Sequence, residues 1–274
     1  MHLTVGTFNL WRSGEPWRYA AERNLVRGAV PGSAAVTMRP ETGVWRRRLP
    51  LIAATLRQPA LDLVGLQEVL AEDGDGAPAV EALAEQLDLN HAGAGQLAVL
   101  TPHPIRSSAA VPLAAAEARE EADGGYGSGC LLHAVVATPG GDTDFVVTHW
   151  SPRSSAARTG AAAALTDYVA DLPNRRLIVV GDLNTVAPET PELIILGQGV
   201  RPLVDAWAEI HPDQPGYTMP SHDPVVRLDY VFVSPDLTPV SVRRIGDLPD
   251  PDGFYPSDHL GVVATVVAEP VRPV

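Results

Sequence analysis

The sequence predicts an α/β layered fold, and three observations predict it. Short, continuous, mostly β-branched apolar runs recur along the chain. Leu177 to Val180, closed by Gly181, is the clearest, and such runs mark strands buried on both faces. Segments of helical period stand between the runs: Trp45, Leu49, Ile52 and Leu56 form one, and Leu165, Val169 and Leu172 another. Lastly, 274 residues at 45% hydrophobic content can furnish a sizeable core. No uninterrupted apolar run approaches the roughly 20 residues that a membrane helix needs.

In chain order, His2 to Leu10 alternates as a strand and delivers Asn9 to its C-terminal end, as a site residue or only a turn residue. From Trp11 to Gly43 the chain reads as a long loop punctuated by glycine and proline, a length that in compact domains tends to carry function. The helix from Trp45 spans about three turns and ends by Pro59. Leu61 to Leu66 is a buried strand, and Gln67 and Glu68 stand where it leaves the core. A carboxylate there can serve as a hard oxygen ligand for Mg²⁺; an unmatched surface glutamate is the alternative. Ala71 to Gly76 is an acidic turn, Val80, Leu83 and Leu87 suggest a second helix, and Gln96 to Leu100 is a strand. Thr101 to Ile105 is a turn fixed by proline, and Glu117 to Gly129 reads as an exposed acidic loop.

Cys130 to Ala137 and Thr143 to His149 pair as strands across Pro139-Gly140-Gly141, and the second brings His149 to its end. A lone histidine in a strand is more often packed than catalytic, but this one shares its strand-end position with Asn9, Glu68 and Asp182. Ala156 to Leu172 is a helix, and Arg153 and Arg158 flank its start as weak candidates for phosphate contact. The central strand then exposes Asp182 and Asn184. Two residues apart, they project to the same side of an extended backbone and can reach one metal, water or phosphate oxygen. A turn capped by its own Asp and Asn is the alternative. Pro191 to Leu196 is a short helix or turn, and Val204, Trp207 and Ile210 are local core. Arg227 to Val233 is a strand carrying Asp229, and Asp258-His259 precede the closing strand Val262 to Val267.

The net charge of −13 argues against a protein that coats nucleic acid non-specifically. The charge is unevenly spread. All 20 cationic residues are arginine, and residues 1–48 hold eight of them beside three acids, so that segment is +5 and the remaining residues, with 12 arginines and 30 acids, are −18. Arg12 to Arg48 is either a local anion-binding rim or a solvated loop shaped by composition bias. The single cysteine, Cys130, suits a reducing cytoplasm, and Met1 to Leu10 lacks the charged and apolar regions of a secretory signal; the mature form of an exported protein would look the same. The expectation is a cytoplasmic protein without a membrane span, and no protein partner is inferred.

TFNLW around Asn9, VGLQEV around Glu68, THW around His149, VVGDLN around Asp182 and Asn184, RLDYVFVS around Asp229 and YPSDH around His259 together resemble the ordered motif set of the endonuclease/exonuclease/phosphatase superfamily. No single motif is very specific; six in the family's order are. The resemblance runs from residue 3 to residue 267. It implies a DNase I-like, four-layered α/β/β/α sandwich of two packed mixed β-sheets with helices outside, with residues 1–274 as a single catalytic domain. It implies Mg²⁺, with Mn²⁺ as an alternative, held by Glu68 with Asn9 and with Asp258 or Asp182. Asp229 would orient His259, Asp182 and Asn184 would position water and phosphoryl oxygens, and His149 would serve the leaving side.

The activity implied is hydrolysis of a phosphoester, foremost a phosphodiester with nuclease-like chemistry, and nucleic acid is one possible substrate. A small-molecule or lipid phosphatase or phosphodiesterase is the alternative, with Trp11, Trp17, Trp45 and Trp150 as candidates to pack an apolar group or as core. A catalytically silent module of the same fold is the third reading. The sequence departs from the family at Thr101-Pro102, where Ser-Arg is common, and at Val147, where Asn is common. The mid-chain active-site tyrosine of several nucleases has no clear counterpart.

Overall fold

The computed structural model describes residues 2–11, 17–19, 36–37, 44–69, 79–113, 129–173, 176–186 and 190–268. Two mixed sheets of six described strands dominate. The first runs β13 (Leu237–Ile245), β15 (Gly261–Ala268), β1 (His2–Asn9), β4 (Leu63–Gln67), β6 (Leu97–Thr101) and β5 (Asn90–Ala94). The second runs β11 (Val204–Asp205), β12 (Asp229–Val233), β10 (Arg176–Asp182), β9 (Gly141–His149), β8 (Cys130–Thr138) and β7 (Ile105–Pro112).

The period of two in β10 explains how the sheets pack. Ile178 and Val180 point into the core between the sheets with Val5, Leu63, Val99, Phe145, Val147 and Val231, while Leu177 and Val179 face the other way. On that outer side, Ala161, Ala162, Leu165 and Val169 of α3 (Ser155–Ala170) and Leu196 of α4 (Pro191–Gln198) cover the second sheet. The first sheet's outer face, with Val64 and Leu66, is covered by Ile52, Ala53 and Leu56 of α1 (Val44–Arg57) and Leu83 and Ala84 of α2 (Ala79–Leu87). Helix, sheet, sheet, helix are the four layers that the resemblance implies. Each fully buried large apolar side chain contributes about 1.5–3 kcal/mol.

Between the sheets, Gly65 occupies an inward position where any larger residue collides. A Cβ built there would lie 2.4 Å from Val180 Cγ2 and 2.7 Å from Val147 Cγ2, so the close approach of β4 to β9 and β10 requires glycine. Helix α3 starts where Ser154 accepts from the Ala157 N–H at 3.1 Å, an N-cap that satisfies one of the first-turn donors.

Several expectations change. The segment read as a loop over 11–43 carries two short strands, β2 (Trp17–Tyr19) and β3 (Val36–Thr37), which join β14 (Phe254–Tyr255) in a small sheet of order β14–β2–β3. Strands β5, β7 and β13 have no counterpart in the sequence reading. Strand β7, IRSSAAVP, is exposed along most of its length, so neither alternation nor an apolar run betrays it. Residues 204–210 form β11 and the short helix α5 (Ala206–Ile210), capped by Asp205. The acidic turn Ala71 to Gly76, most of the acidic loop up to Gly129, and Tyr126 lie outside the described residues. Among the described residues, no helix is long and apolar enough to cross a membrane.

Candidate active site

The registers place the polar strand ends together. Asn9 pairs with Gln67 across the parallel β1–β4 ladder, and Asp182 stands between His149 on parallel β9 and Asp229 on antiparallel β12. Strand β15 runs antiparallel to β1, with Val262 opposite Thr7, so Asp258 and His259 just before it arrive at the same end. Three of these strand ends turn sharply. Trp11, Glu68 and Asn184 are non-glycine residues with φ of 52°, 56° and 49°, a left-handed conformation that costs an L-residue roughly 1–2 kcal/mol. Asx-type bonds hold two of the turns: Asn9 Oδ1 accepts from Trp11 N–H at 2.8 Å, and Asp182 Oδ1 accepts from Asn184 N–H at 2.9 Å.

One atom is the hub. Asp182 Oδ2 accepts from Asn9 Nδ2 at 2.9 Å and lies 3.6 Å from His149 Nε2 and 3.8 Å from His259 Nε2. Asn9 Nδ2 also donates to Glu68 Oε1 at 3.3 Å, so one amide joins carboxylates that come from the two sheets. Glu68 Oε1 is 3.9 Å from His149 Nε2. The Asn9 oxygen already holds the Trp11 N–H, so as a metal ligand it has one lone pair left.

Each histidine has an orienting partner. His259 Nδ1 lies 2.8 Å from Asp229 Oδ2. His149 Nδ1 lies 3.3 Å from Gln96 Oε1, and an amide oxygen only accepts, which puts the proton on Nδ1. His149 Nε2 then faces Asn184 Nδ2 at 3.2 Å, and that amide also donates to the Trp150 carbonyl at 3.0 Å.

The electrostatics reflect an excess of buried negative charge. Burial, together with Asp229, raises Asp182 above the ordinary carboxylate range, although His259, His149 and the Asn9 bond pull the other way. Burial pushes Asp258 to about 7, with Glu68 and Asp182 adding to it and His259 and Arg48 opposing it. Burial works against a charged His259, but Asp229, Asp182 and Asp258 outweigh it and hold the imidazolium well above its usual 6.5. Asp229 Oδ1 is buried without a hydrogen-bond partner among the described residues. Asp182, Asp229 and His259 have ligand atoms within 4.8 Å of one another, an arrangement that can hold a metal ion. That group competes with the His259–Asp229 bond, whereas Glu68, Asn9 and Asp258 keep the pair intact.

Of the residues named from sequence, Asn9, Glu68, His149, Asp182, Asn184, Asp229, Asp258 and His259 come together here. Of the two arginines named for phosphate contact, Arg158 donates from Nη1 to the Ser151 carbonyl at 2.9 Å and has Nε 3.4 Å from the buried Glu192, while Arg153 is exposed. Arg48 is wholly buried and is no part of an exposed anion rim. Trp150 is core at 1% exposure and Trp11 is half-buried, while the side chains of Trp17 and Trp45 lie outside the described set. Gln96 went unread, because a contact between the β5–β6 turn and β9 has no local sequence signal.

The model of the "Endonuclease/Exonuclease/phosphatase family" matches residues 6–259. No curated protein sequence matches the chain. Among solved structures, the chain is similar to humanized D. rerio TDP2 carrying 14 mutations, at TM-score 0.72 and 17% identity over 97% of this chain and 99% of that one. D. rerio TDP2 complexed with single strand DNA product gives 0.69 and 17% over 97% and 99%. An endonuclease/exonuclease/phosphatase from Bacteroides vulgatus gives 0.69 and 16% over 98% and 100%. At these identities the likeness establishes the fold alone.

Proposed function

The chain belongs to the endonuclease/exonuclease/phosphatase family, whose members hydrolyse phosphoesters, and we propose that it is a divalent-metal-dependent phosphodiesterase acting in the cytoplasm, with residues 1–274 as one catalytic domain. The observation that carries this is the convergence on Asp182 Oδ2 of Asn9, His149 and His259, drawn from both sheets. The donor set suits Mg²⁺, and Mn²⁺ as a substitute: carboxylate and amide oxygens in a buried site short of positive charge. Glu68 would hold the ion with Asn9 and Asp258, and the bound ion would supply neutralisation of phosphoryl charge.

The chain's own groups divide the remaining work. Asp182, raised by burial, is suited to take a proton from water, with Asn184 orienting that water. His259, kept charged and held by Asp229, donates from Nε2 to a phosphoryl oxygen. His149, with its proton fixed on Nδ1 by Gln96, stands on the leaving side beside Asn184. General acid–base assistance of this kind adds about 10²- to 10⁴-fold.

Nucleic acid is a candidate substrate, in keeping with the DNA product bound by a fold neighbour. A second reading, a small or lipid-borne phosphoester, is favoured by Val186, two residues past Asn184, and by Leu248 before β14, which are exposed apolar side chains at 53% and 79%. The test is hydrolysis with Mg²⁺ and with EDTA of plasmid and single-stranded DNA, bis-p-nitrophenyl phosphate and p-nitrophenyl phosphate. Metal-dependent cleavage of DNA and the diester is expected. Cleavage of the small esters alone would move the assignment to the second reading, and cleavage of the monoester in preference would refute the phosphodiesterase.

A further inference from the structure

The end of β1 and the segment carrying Asp258 and His259 are far apart in sequence, and one buried side chain joins them. Arg48, on α1, donates from Nε to the Pro256 carbonyl at 3.0 Å and from Nη2 to the same oxygen at 2.7 Å. Nη2 also donates to the Leu10 carbonyl, and Nη1 reaches the Trp11 carbonyl at 3.5 Å. Its acceptors are thus the residues just after Asn9 and just before Ser257 and Asp258. Ser257 Oγ adds a second tie between the same segments, donating to the Asn9 carbonyl at 2.6 Å. Guanidinium is planar and presents its donors in a rigid fork, so it holds carbonyls from two segments at a set separation.

Helix α1 does not need this arginine to dock. Ile52, Ala53 and Leu56 already bury its apolar face against the first sheet. A buried cation is a costly way to hold a helix, and an apolar side chain of similar volume often serves stability as well. Burial lowers the Arg48 guanidinium to about 10, and the nearby charges of Asp258 and Glu68 oppose that shift.

We propose that Arg48 is a positioning residue: its buried fork sets the separation between the Asn9–Glu68 side of the site and the Asp258–His259 side. For its kinetic consequence this rests on the phosphodiesterase reading; for its geometry it does not.

The test uses Arg48→Lys, which keeps the charge without the fork, and Arg48→Met, which keeps neither. In the metal-free full chain, ring resonances of His259, assigned with His259→Gln, should move in both variants. Those of His133, which bonds Asp144 and Tyr168 beneath α3, should stay in place. Against bis-p-nitrophenyl phosphate, kcat should fall about 10²-fold in Arg48→Met, the scale of a 1 Å misplacement, with KM little changed and only partial recovery in Arg48→Lys. His259 resonances at wild-type positions in both variants, or a wild-type kcat in Arg48→Met, would overturn the proposal. Loss of a cooperative melt in both would overturn it too, because the arginine would then hold the fold rather than the site. If wild-type protein turns over none of the esters, the phosphodiesterase reading fails and the ring spectra decide Arg48 alone.

Discussion

His259 and Asp229, 30 residues apart, meet at 2.8 Å where β12 begins and β15 is about to begin. The pair joins the two sheets at the site, because β12 belongs to the second sheet and β15 to the first. One carboxylate oxygen is engaged; the other is buried with no hydrogen-bond partner among the described residues. The bond fixes which nitrogen of His259 faces Asp182, and the charge of Asp229 keeps the ring protonated despite burial.

Asp229→Asn should therefore lower the titration midpoint of the His259 ring in metal-free protein, read by its ring ¹⁵N shifts. The sign follows from linkage. A histidine raised above 6.5 in the fold adds stability that is fully present below that value and lost as pH rises through the folded-state value. The substitution should cost more stability at pH 6 than in the alkaline range, and kcat for the diester should drop by about 10²-fold or more. An unchanged midpoint would mean that Asp229 does not govern the charge.

Glu68→Gln separates metal binding from folding. A ligand at 100 times its dissociation constant adds about 2.7 kcal/mol, which for a chain of this size is a rise of roughly 5–10 °C. Wild-type protein should gain on that order in Mg²⁺ or Mn²⁺, Glu68→Gln should gain little, and both should melt cooperatively in EDTA. An equal gain in the variant would move the ion elsewhere, to the Asp182, Asp229 and His259 group first.

Asp258 offers the opposite pH behaviour. Its folded-state value of about 7, against an ordinary 3.8, makes ionisation costly in the metal-free fold. That cost is absent below 3.8, grows with rising pH and is complete above about 7. Asp258→Asn should thus raise the metal-free melting temperature at pH 8 by several degrees, and by less at pH 5, while abolishing the stabilisation that metal gives. A uniform shift at both pH values would contradict the buried ionisation.

Gly65→Ala tests how the sheets approach. Its Cβ would meet Val180 Cγ2 at 2.4 Å, and overpacking of this kind costs about 1–3 kcal/mol. The melting temperature should fall by several degrees, and Gly65→Ala with Val180→Ala should recover part of the loss. A neutral single variant would show that the sheets yield at this contact.

Much of this site was legible because its parts sit at strand ends, where an apolar run stops on a polar residue. VVGDLN and VGLQEV announce Asp182, Asn184 and Glu68 in that way. What the sequence hid depends on distant partners. Arg48 lies in a run of three arginines that reads as solvated, yet its burial comes from carbonyls at Leu10, Trp11 and Pro256. Gln96 reads as the start of a strand; its contact with His149 exists only once β6 and β9 face one another. Strand β13 eluded the reading because LTPVSVRRI, at a sheet edge, alternates poorly and carries a proline and two arginines.

The left-handed turn at Glu68 carries an evolutionary liability. Glycine is the residue that such a backbone conformation favours, so a population selected for heat tolerance alone would be drawn toward Glu68→Gly. The same change deletes the carboxylate proposed above to hold the metal ion. If Glu68 holds the ion as proposed, laboratory evolution of this enzyme under a thermal screen would enrich sturdier but impaired descendants at this codon unless turnover were scored in the same round.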